Sequence, residues 1–250
     1  MGEAECTCLA PRFCMPQPLS KLVRGAIGIR WDIDVASYQP ELAVLVARIM
    51  SLSSKADYSL GMGLIKMLGP KAAPAFAIYE ALTWGYAKTK AMQSSAKMVL
   101  SAEDYKLFCA LLRMYAEDEN QRNKFAHWVW VYCNEASEYL VLLSPSAALR
   151  WQLTMSEGRY GTPLNIDPAD FGNWVKRCEC YSKAELRRIV DTFQETFMLT
   201  NSFATLCDPF GASKDEIRHT LATQPRLATA LRHLEKQTQT PSSEHPSQPE

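Results

Sequence analysis

The chain has 250 residues, of which 47% are hydrophobic and 22% are charged, so it can bury a sizeable core in one large domain or in a domain with an extension. Basic and acidic residues number 27 each. This balance excludes a protein that coats nucleic acid through bulk charge, but it leaves room for a local basic site. No run of about 18 uncharged apolar residues predicts a membrane span. The first five residues also lack the features of a secretory signal. We therefore expect a cytoplasmic protein without a membrane partner.

The N-terminal third of the chain changes from an irregular segment to helices. Residues 1–36 contain several prolines and glycines and predict an irregular arm, with a short helix or an edge strand within 19–33. From Pro40 the apolar residues follow a helical period, which predicts one helix to about Lys55 and a shorter one over 57–68. Residues 73–98 predict a long, partly buried helix.

The middle of the chain predicts a helix boundary. Ser101 and Asp104 have the spacing of a capping box at the start of an amphipathic helix, which we expect to stop in the polar run 117–120. Asn120 is a candidate N-cap for a new helix. The apolar runs 129–132 and 139–143 predict short strands, a hairpin or the end of a buried helix, and periodicity does not choose among them.

The C-terminal part predicts further helices and a tail. Ser182 and Glu185 form a second capping box, which opens a long helix to about residue 206. We interpret 144–145 and 158–168 as loops and expect a helix near 169–174. Residues 213–236 predict a short polar helix. The composition from residue 237 to 250 predicts a disordered tail.

Two Cys-x-Cys pairs stand out among the eight cysteines. Cys6 with Cys8 and Cys178 with Cys180 could together bind zinc, but paired thiolate ligands are more often separated by two to four residues. We therefore favour incidental, reduced cysteines and expect neither a metal nor a cofactor.

The most informative segment is Arg122-Asn123-Lys124-Phe125-Ala126-His127, which contains the first histidine of the chain. In a helix, Asn123 and His127 lie on one face because they are four residues apart, and a long arginine side chain can curl towards that face. If a helix begins just before Arg122, its free N–H groups also favour phosphate.

Arginine, asparagine and histidine are suited to cleaving RNA without a metal. Histidine titrates near neutrality and can serve as acid or base, arginine binds phosphate oxygens, and asparagine can orient either partner. The alternative is structural: His127 is packed in the core, and Arg122 caps a helix or pairs with an acidic residue among 117–119.

The segment resembles the signature of the higher eukaryote and prokaryote nucleotide-binding (HEPN) superfamily, in which arginine, often followed by asparagine, precedes histidine by four to six residues. It is also similar to a bacterial group with an Arg-Asn-x-x-Ala-His-x-x-Trp motif. The matching residues are Arg122, Asn123, Ala126, His127 and Trp130.

This resemblance implies an all-α helical bundle, commonly dimeric, over residues 37–210, followed by a short helix at 211–236. It implies a metal-independent endoribonuclease of a toxin–antitoxin or antiphage system, with RNA as substrate, a possible antitoxin partner and Arg122, Asn123 and His127 as catalytic residues. It also implies an alternative, because many members are non-catalytic nucleotide-binding or dimerisation modules.

Overall fold

A computed structural model describes residues 16–23, 29–30, 34–69, 72–82, 85–159, 176–209 and 213–239. Within these ranges ten α-helices and five strands form. The helices are α1 (Leu19–Leu22), α2 (Val35–Tyr38), α3 (Pro40–Leu68), α4 (Ala72–Ala81), α5 (Tyr86–Val99), α6 (Ala102–His127), α7 (Pro145–Arg159), α8 (Lys183–Leu206), α9 (Lys214–Thr223) and α10 (Pro225–Gln239). The strands are β1 (Gln17–Pro18), β2 (Ile29–Arg30), β3 (Val129–Cys133), β4 (Tyr139–Leu143) and β5 (Cys178–Ser182).

The protein is mostly helical, but the expectation of an all-α fold is wrong because the five strands form one antiparallel sheet. The strand order is β1-β5-β4-β3-β2, and β3 and β4 form a hairpin in which Val131 lies opposite Val141. Leu140 to Leu143 are fully buried, as expected of a central strand with both faces covered. The ambiguous apolar runs 129–132 and 139–143 are therefore strands, and the short β1 and β2 are the sheet edges.

Two helices are longer than the sequence predicts. The helix expected to end near Lys55 continues to Leu68, and the helix expected to stop at 117–120 continues to His127. The polar run does not end α6 because two of its carboxylates are buried and paired: Asp118 with Arg226, and Glu119 with Arg122. A polar run is a turn signal only when its side chains face solvent.

Other boundaries also differ. The predicted helix 73–98 is divided into α4 and α5, and Gly85, with φ +150°, precedes α5 in a conformation that other residues rarely adopt. Helix α7 begins at Pro145, within the segment 144–145 that we interpreted as a loop. Its start is consistent with its sequence, since the Ala147 N–H donates to Ser144 Oγ and Pro145 occupies the first helical position. The single helix predicted over 213–236 is divided into α9 and α10, and α10 includes residues 237–239 of the predicted tail. The helix expected near 169–174 and the rest of the predicted tail, residues 240–250, lie outside the described residues.

Contacts divide the chain into two compact units. The first contains residues within 1–48 and 123–190, and the second contains residues within 49–122 and 191–250. The first unit has a core formed by the sheet with α1 and α7, in which Val131, Val141 and Leu143 are buried. The second has a helical core, in which the rings of Phe108 and Phe203 stack with centroids 5.0 Å apart.

Both predicted capping-box serines accept a hydrogen bond at a helix start, but only one of the two boxes is complete. At α8 the pattern is complete, because the Glu185 N–H donates to Ser182 Oγ and the Ser182 N–H donates to Glu185 Oε2. At α6 only half forms: the Asp104 N–H donates to Ser101 Oγ, whereas the Asp104 carboxylate accepts hydrogen bonds from Arg218. No described helix combines the length and the apolar composition needed to cross a membrane.

Candidate functional site

The residues Arg122 to His127 form the last part of α6. The prediction that they open a new helix at Asn120 is wrong. Because the free N–H groups of α6 are at its other end, near Ala102, the motif gains no phosphate attraction from a helix N-terminus. The end of a helix carries a partial negative charge from its unpaired carbonyl groups, which disfavours an anion.

Within the first unit, His127 is exposed and Asn123 is partly exposed. They are four residues apart on α6, so they lie on the same helix face, one turn from each other. In the described part of the chain, neither side chain has a hydrogen bond or an ion pair. The structural alternative of a histidine packed in the core therefore does not apply.

The backbone around His127 is fixed by local hydrogen bonds. The Trp128 N–H donates to the Lys124 carbonyl at 2.9 Å, which closes the last turn of α6. The Trp130 indole N–H donates to the Phe125 carbonyl at 3.1 Å and so satisfies one of the carbonyls that a helix end leaves unpaired. The hydrogen bond from Trp130, the residue that completes the motif, therefore holds the helix end from which His127 projects.

Arg122 belongs to the second unit, where it is bound to a buried carboxylate. Its Nη2 donates to Glu119 Oε2 at 2.6 Å and its Nε donates to Glu119 Oε1 at 3.4 Å. The Glu119 side chain is only 3% exposed, and the Ser53 hydroxyl also donates to it. This is the pairing that the structural alternative predicted for Arg122. It uses one edge of the guanidinium, and Nη1 has no partner among the described residues.

Lys124 is a second cation within the motif segment that our sequence reasoning did not assign to the site. Its ammonium group donates to both carboxylate oxygens of Glu179 at 2.7 and 3.0 Å and lies 5.3 Å from the centroid of the Trp128 ring. The Tyr181 hydroxyl donates to the same carboxylate at 2.6 Å. Lys124 is therefore neutralised by Glu179. Of these contacts, the sequence suggests only the one with Trp128, because the two residues are four positions apart.

The second Cys-x-Cys pair is buried in the first unit. Cys178, Cys180 and Cys133 are buried in the core of the first unit, and burial raises the pKa of the Cys178 thiol to about 12 and that of the Cys133 thiol to about 11. These thiols therefore stay protonated at neutral pH in the metal-free protein. Among the residues that the structure describes, no group of histidine, cysteine or acidic side chains is arranged to hold a metal. Cys6 and Cys8 lie outside them.

Comparisons with protein-family models, with curated proteins and with solved structures gave no match. The site is therefore interpreted from its residues and their contacts.

Proposed function

We propose that the protein is a HEPN-like, metal-independent endoribonuclease that acts as a homodimer on RNA, in the manner of a toxin with a cognate antitoxin. The observation that supports this proposal most directly is that His127 is exposed on the same face of α6 as Asn123. Within the described residues, neither side chain has a hydrogen bond or an ion pair. Because no described protein group occupies these two side chains, only water has to be displaced when they bind a phosphate or a ribose hydroxyl.

In this proposal the three motif residues have separate roles. His127 acts as the base that removes the proton from a ribose 2′-hydroxyl, or as the acid that protonates the leaving 5′-oxygen. Asn123 orients the scissile phosphate or the imidazole. Arg122 stabilises the charge that develops on the phosphate when the 2′-oxygen attacks phosphorus. The reaction yields a 2′,3′-cyclic phosphate and needs no metal.

The pairing of Arg122 with Glu119 restricts how the arginine contributes. With Nε and Nη2 bound to the buried carboxylate, Nη1 is the donor that remains for a phosphate oxygen. Glu119 then fixes the plane of the guanidinium, in the way that carboxylates commonly orient arginine forks. The same ion pair also lowers the net positive charge that Arg122 offers to an anion.

This neutralisation supports a second candidate, a non-catalytic HEPN-like module that dimerises or binds a nucleotide. Here the Arg122–Glu119 and Lys124–Glu179 pairs serve stability, and His127 contacts a partner rather than a scissile phosphate. Because both cations of the motif segment have carboxylate partners, this candidate has a specific structural basis.

The two candidates are separated by incubating the purified protein with mixed RNA in the presence of EDTA. The ribonuclease proposal predicts cleavage that persists in EDTA and disappears on RNA whose 2′-hydroxyls are methylated, because the nucleophile is then blocked. Asn123→Ala should slow the cleavage and leave the unfolding temperature within about 2 °C of the wild type, because Asn123 is partly exposed and has no partner among the described residues. Arg122→Lys should also slow the cleavage, but it should lower the unfolding temperature, because lysine cannot reproduce the two hydrogen bonds to the buried Glu119 carboxylate. Intact RNA, together with dimerisation and a rise in unfolding temperature on adding nucleotide, would instead support the non-catalytic module.

A further inference from the structure

The first unit contains a cleft that the proposed function does not use. It has a volume of about 570 Å³, within the range of small-molecule sites, and is lined by residues 38–42, 137–139 and 182–184. These segments are the start of α3, the turn between β3 and β4, and the start of α8. The cleft is therefore at the hairpin end of the sheet, whereas His127 precedes β3 at the opposite end of the same strands.

Gln39 is the most unusual residue of this cleft. Its side-chain Nε2 donates to the carbonyls of Ser137 and Tyr139 at 2.7 and 3.0 Å. These two acceptors fix the orientation of the amide, since only the nitrogen can face them. Its backbone N–H donates to the Val35 carbonyl, and its own carbonyl accepts from Leu42.

The remaining polar atom of Gln39, Oε1, has no hydrogen-bond partner among the described residues, although the residue is only 7% exposed. A buried acceptor without a donor is costly, and so an atom of this kind marks a position where a ligand or a water completes the structure. Donation by Nε2 to two carbonyls also polarises the amide and makes Oε1 a stronger acceptor.

The charged residues that line the cleft favour a cationic ligand over an anionic one. Lys183 is paired with Glu41, whereas Glu138 is exposed and has no partner in the described part of the chain. The starts of α3 and α8 border the cleft, but each has a glutamate in its first turn, Glu41 and Glu185, which offsets the partial positive charge of the helix end. Among the described residues that line the cleft, the negative charge of Glu138 is therefore the one that no cation compensates.

We propose that this cleft binds a small organic cation with a guanidinium or primary ammonium group, which donates an N–H hydrogen bond to Gln39 Oε1 and lies next to the Glu138 carboxylate. The apolar parts of Tyr38, Pro40 and Leu42 then contact the carbon skeleton of the ligand. Phosphate-bearing ligands are disfavoured, because they would meet Glu138 and Glu41.

The proposal is tested by calorimetric titration of the full-length protein with butylguanidine, butylamine and tetramethylammonium at matched ionic strength, since each carries one positive charge at neutral pH. Butylguanidine or butylamine should bind saturably with one site per chain. Tetramethylammonium has the same charge but no N–H donor, so it should bind at least about tenfold more weakly, as expected for the loss of a hydrogen bond between a charged donor and a buried acceptor. Inorganic phosphate should not bind in the cleft or displace the amine.

Variants connect the binding to the two proposed contacts. Gln39→Met should weaken amine binding at least about tenfold, and Glu138→Gln should weaken it about two- to fivefold because Glu138 is exposed and therefore screened. Glu216→Gln removes another exposed glutamate, which does not line the cleft, and should leave binding unchanged. Should Gln39→Met fail to fold, the Glu138 variant and the tetramethylammonium titration decide the question.

Three results would overturn the proposal: no saturable amine binding, equal affinity for tetramethylammonium, or amine binding that Glu138→Gln and Glu216→Gln alter equally. In the first case Oε1 is satisfied by water alone. In the other two, the cation binds by general charge attraction rather than at Gln39 and Glu138.

Discussion

The buried ion pair between Asp118 and Arg226 allows a quantitative test of how the second unit is stabilised. Arg226 Nη2 donates to Asp118 Oδ1 at 2.9 Å, and the two side chains are 14% and 3% exposed, respectively. Arg226 Nη1 also donates to Thr196 Oγ1 and to the Thr192 carbonyl, both at 3.0 Å. Replacing Arg226 by methionine removes these bonds, retains much of the apolar side chain, and leaves a buried carboxylate without its cation.

The cost of this change should depend on pH. Burial raises the pKa of Asp118 to about 6 from an ordinary value of 3.8, although Arg226 and Thr196 partly counteract it. A folded-state pKa above the unfolded value means that the folded state binds the proton more tightly, so the contribution of Asp118 to stability falls as pH rises from about 4 to 6. Without Arg226 the folded pKa rises further, and the penalty at high pH grows.

We therefore expect Arg226→Met to lower the free energy of unfolding by about 3–5 kcal/mol at pH 8, where Asp118 is charged and unpaired. At pH 5 the carboxyl is protonated in the folded state, and the loss should be about 1–2 kcal/mol, from the missing hydrogen bonds. The measurement is urea denaturation at the two pH values, followed by circular dichroism.

Two further variants complete this test. Arg232→Met removes an exposed arginine of the same helix that has no acidic partner among the described residues, and it should cost less than about 0.5 kcal/mol at either pH. Adding Asp118→Asn to Arg226→Met removes the unpaired charge and should restore roughly 2 kcal/mol at pH 8. Equal losses for Arg226→Met at pH 5 and pH 8 would refute the reasoning, because an uncompensated carboxylate must respond to protonation.

Two other predictions follow from local structure. Ser182→Ala should lower the free energy of unfolding by about 1 kcal/mol, because it removes the hydroxyl that accepts from the Glu185 N–H at the start of α8, and unchanged urea denaturation would contradict this. Burial keeps Cys178 and Cys180 protonated, so they should resist alkylation by iodoacetamide at pH 8 in the native protein and react in urea. Mass analysis of the peptides measures the labelling, and rapid labelling of the native protein would contradict the prediction.

Local signals in the sequence predicted those features of the fold that depend on neighbouring residues. The Ser182–Glu185 capping box and the start of α3 at Pro40 were predicted, because capping and the preference for proline act within one turn. The start of α7 also has a local signal, Ser144 followed by Pro145, which we interpreted as a loop although it fits an N-cap followed by a first helical residue.

Features that depend on distant partners were not predictable in the same way. The polar run 117–120 was expected to be a turn, but Asp118 is paired with a residue 108 positions away and Glu119 accepts from a serine 66 positions away. This error moved the start of a helix to Asn120 and placed the candidate site at the wrong end of a helix. A continuous α6 would have indicated the Glu119–Arg122 pair, since the two residues are three apart.

The candidate site itself was predictable only as a set of residues. Arg122, Asn123 and His127 were selected from their types and spacing, and the exposure of His127 agrees with a role in chemistry. The pairing of Arg122 with Glu119 was one of the alternatives that the spacing left open, whereas the pairing of Lys124 with Glu179 joins residues that are distant in the sequence and depends on packing. The unpaired oxygen of Gln39 likewise had no signal in the sequence.

The most direct test of the ribonuclease proposal compares His127→Ala with His219→Ala, which removes another exposed histidine outside the motif. In EDTA, the wild type and His219→Ala should cleave RNA to products that end in 2′,3′-cyclic phosphate, detected by mass spectrometry. His127→Ala should lose this activity by at least about a hundredfold, the usual contribution of general acid–base catalysis, while retaining the wild-type unfolding temperature. Full cleavage by the His127→Ala protein, or no cleavage by the wild type, would contradict the account.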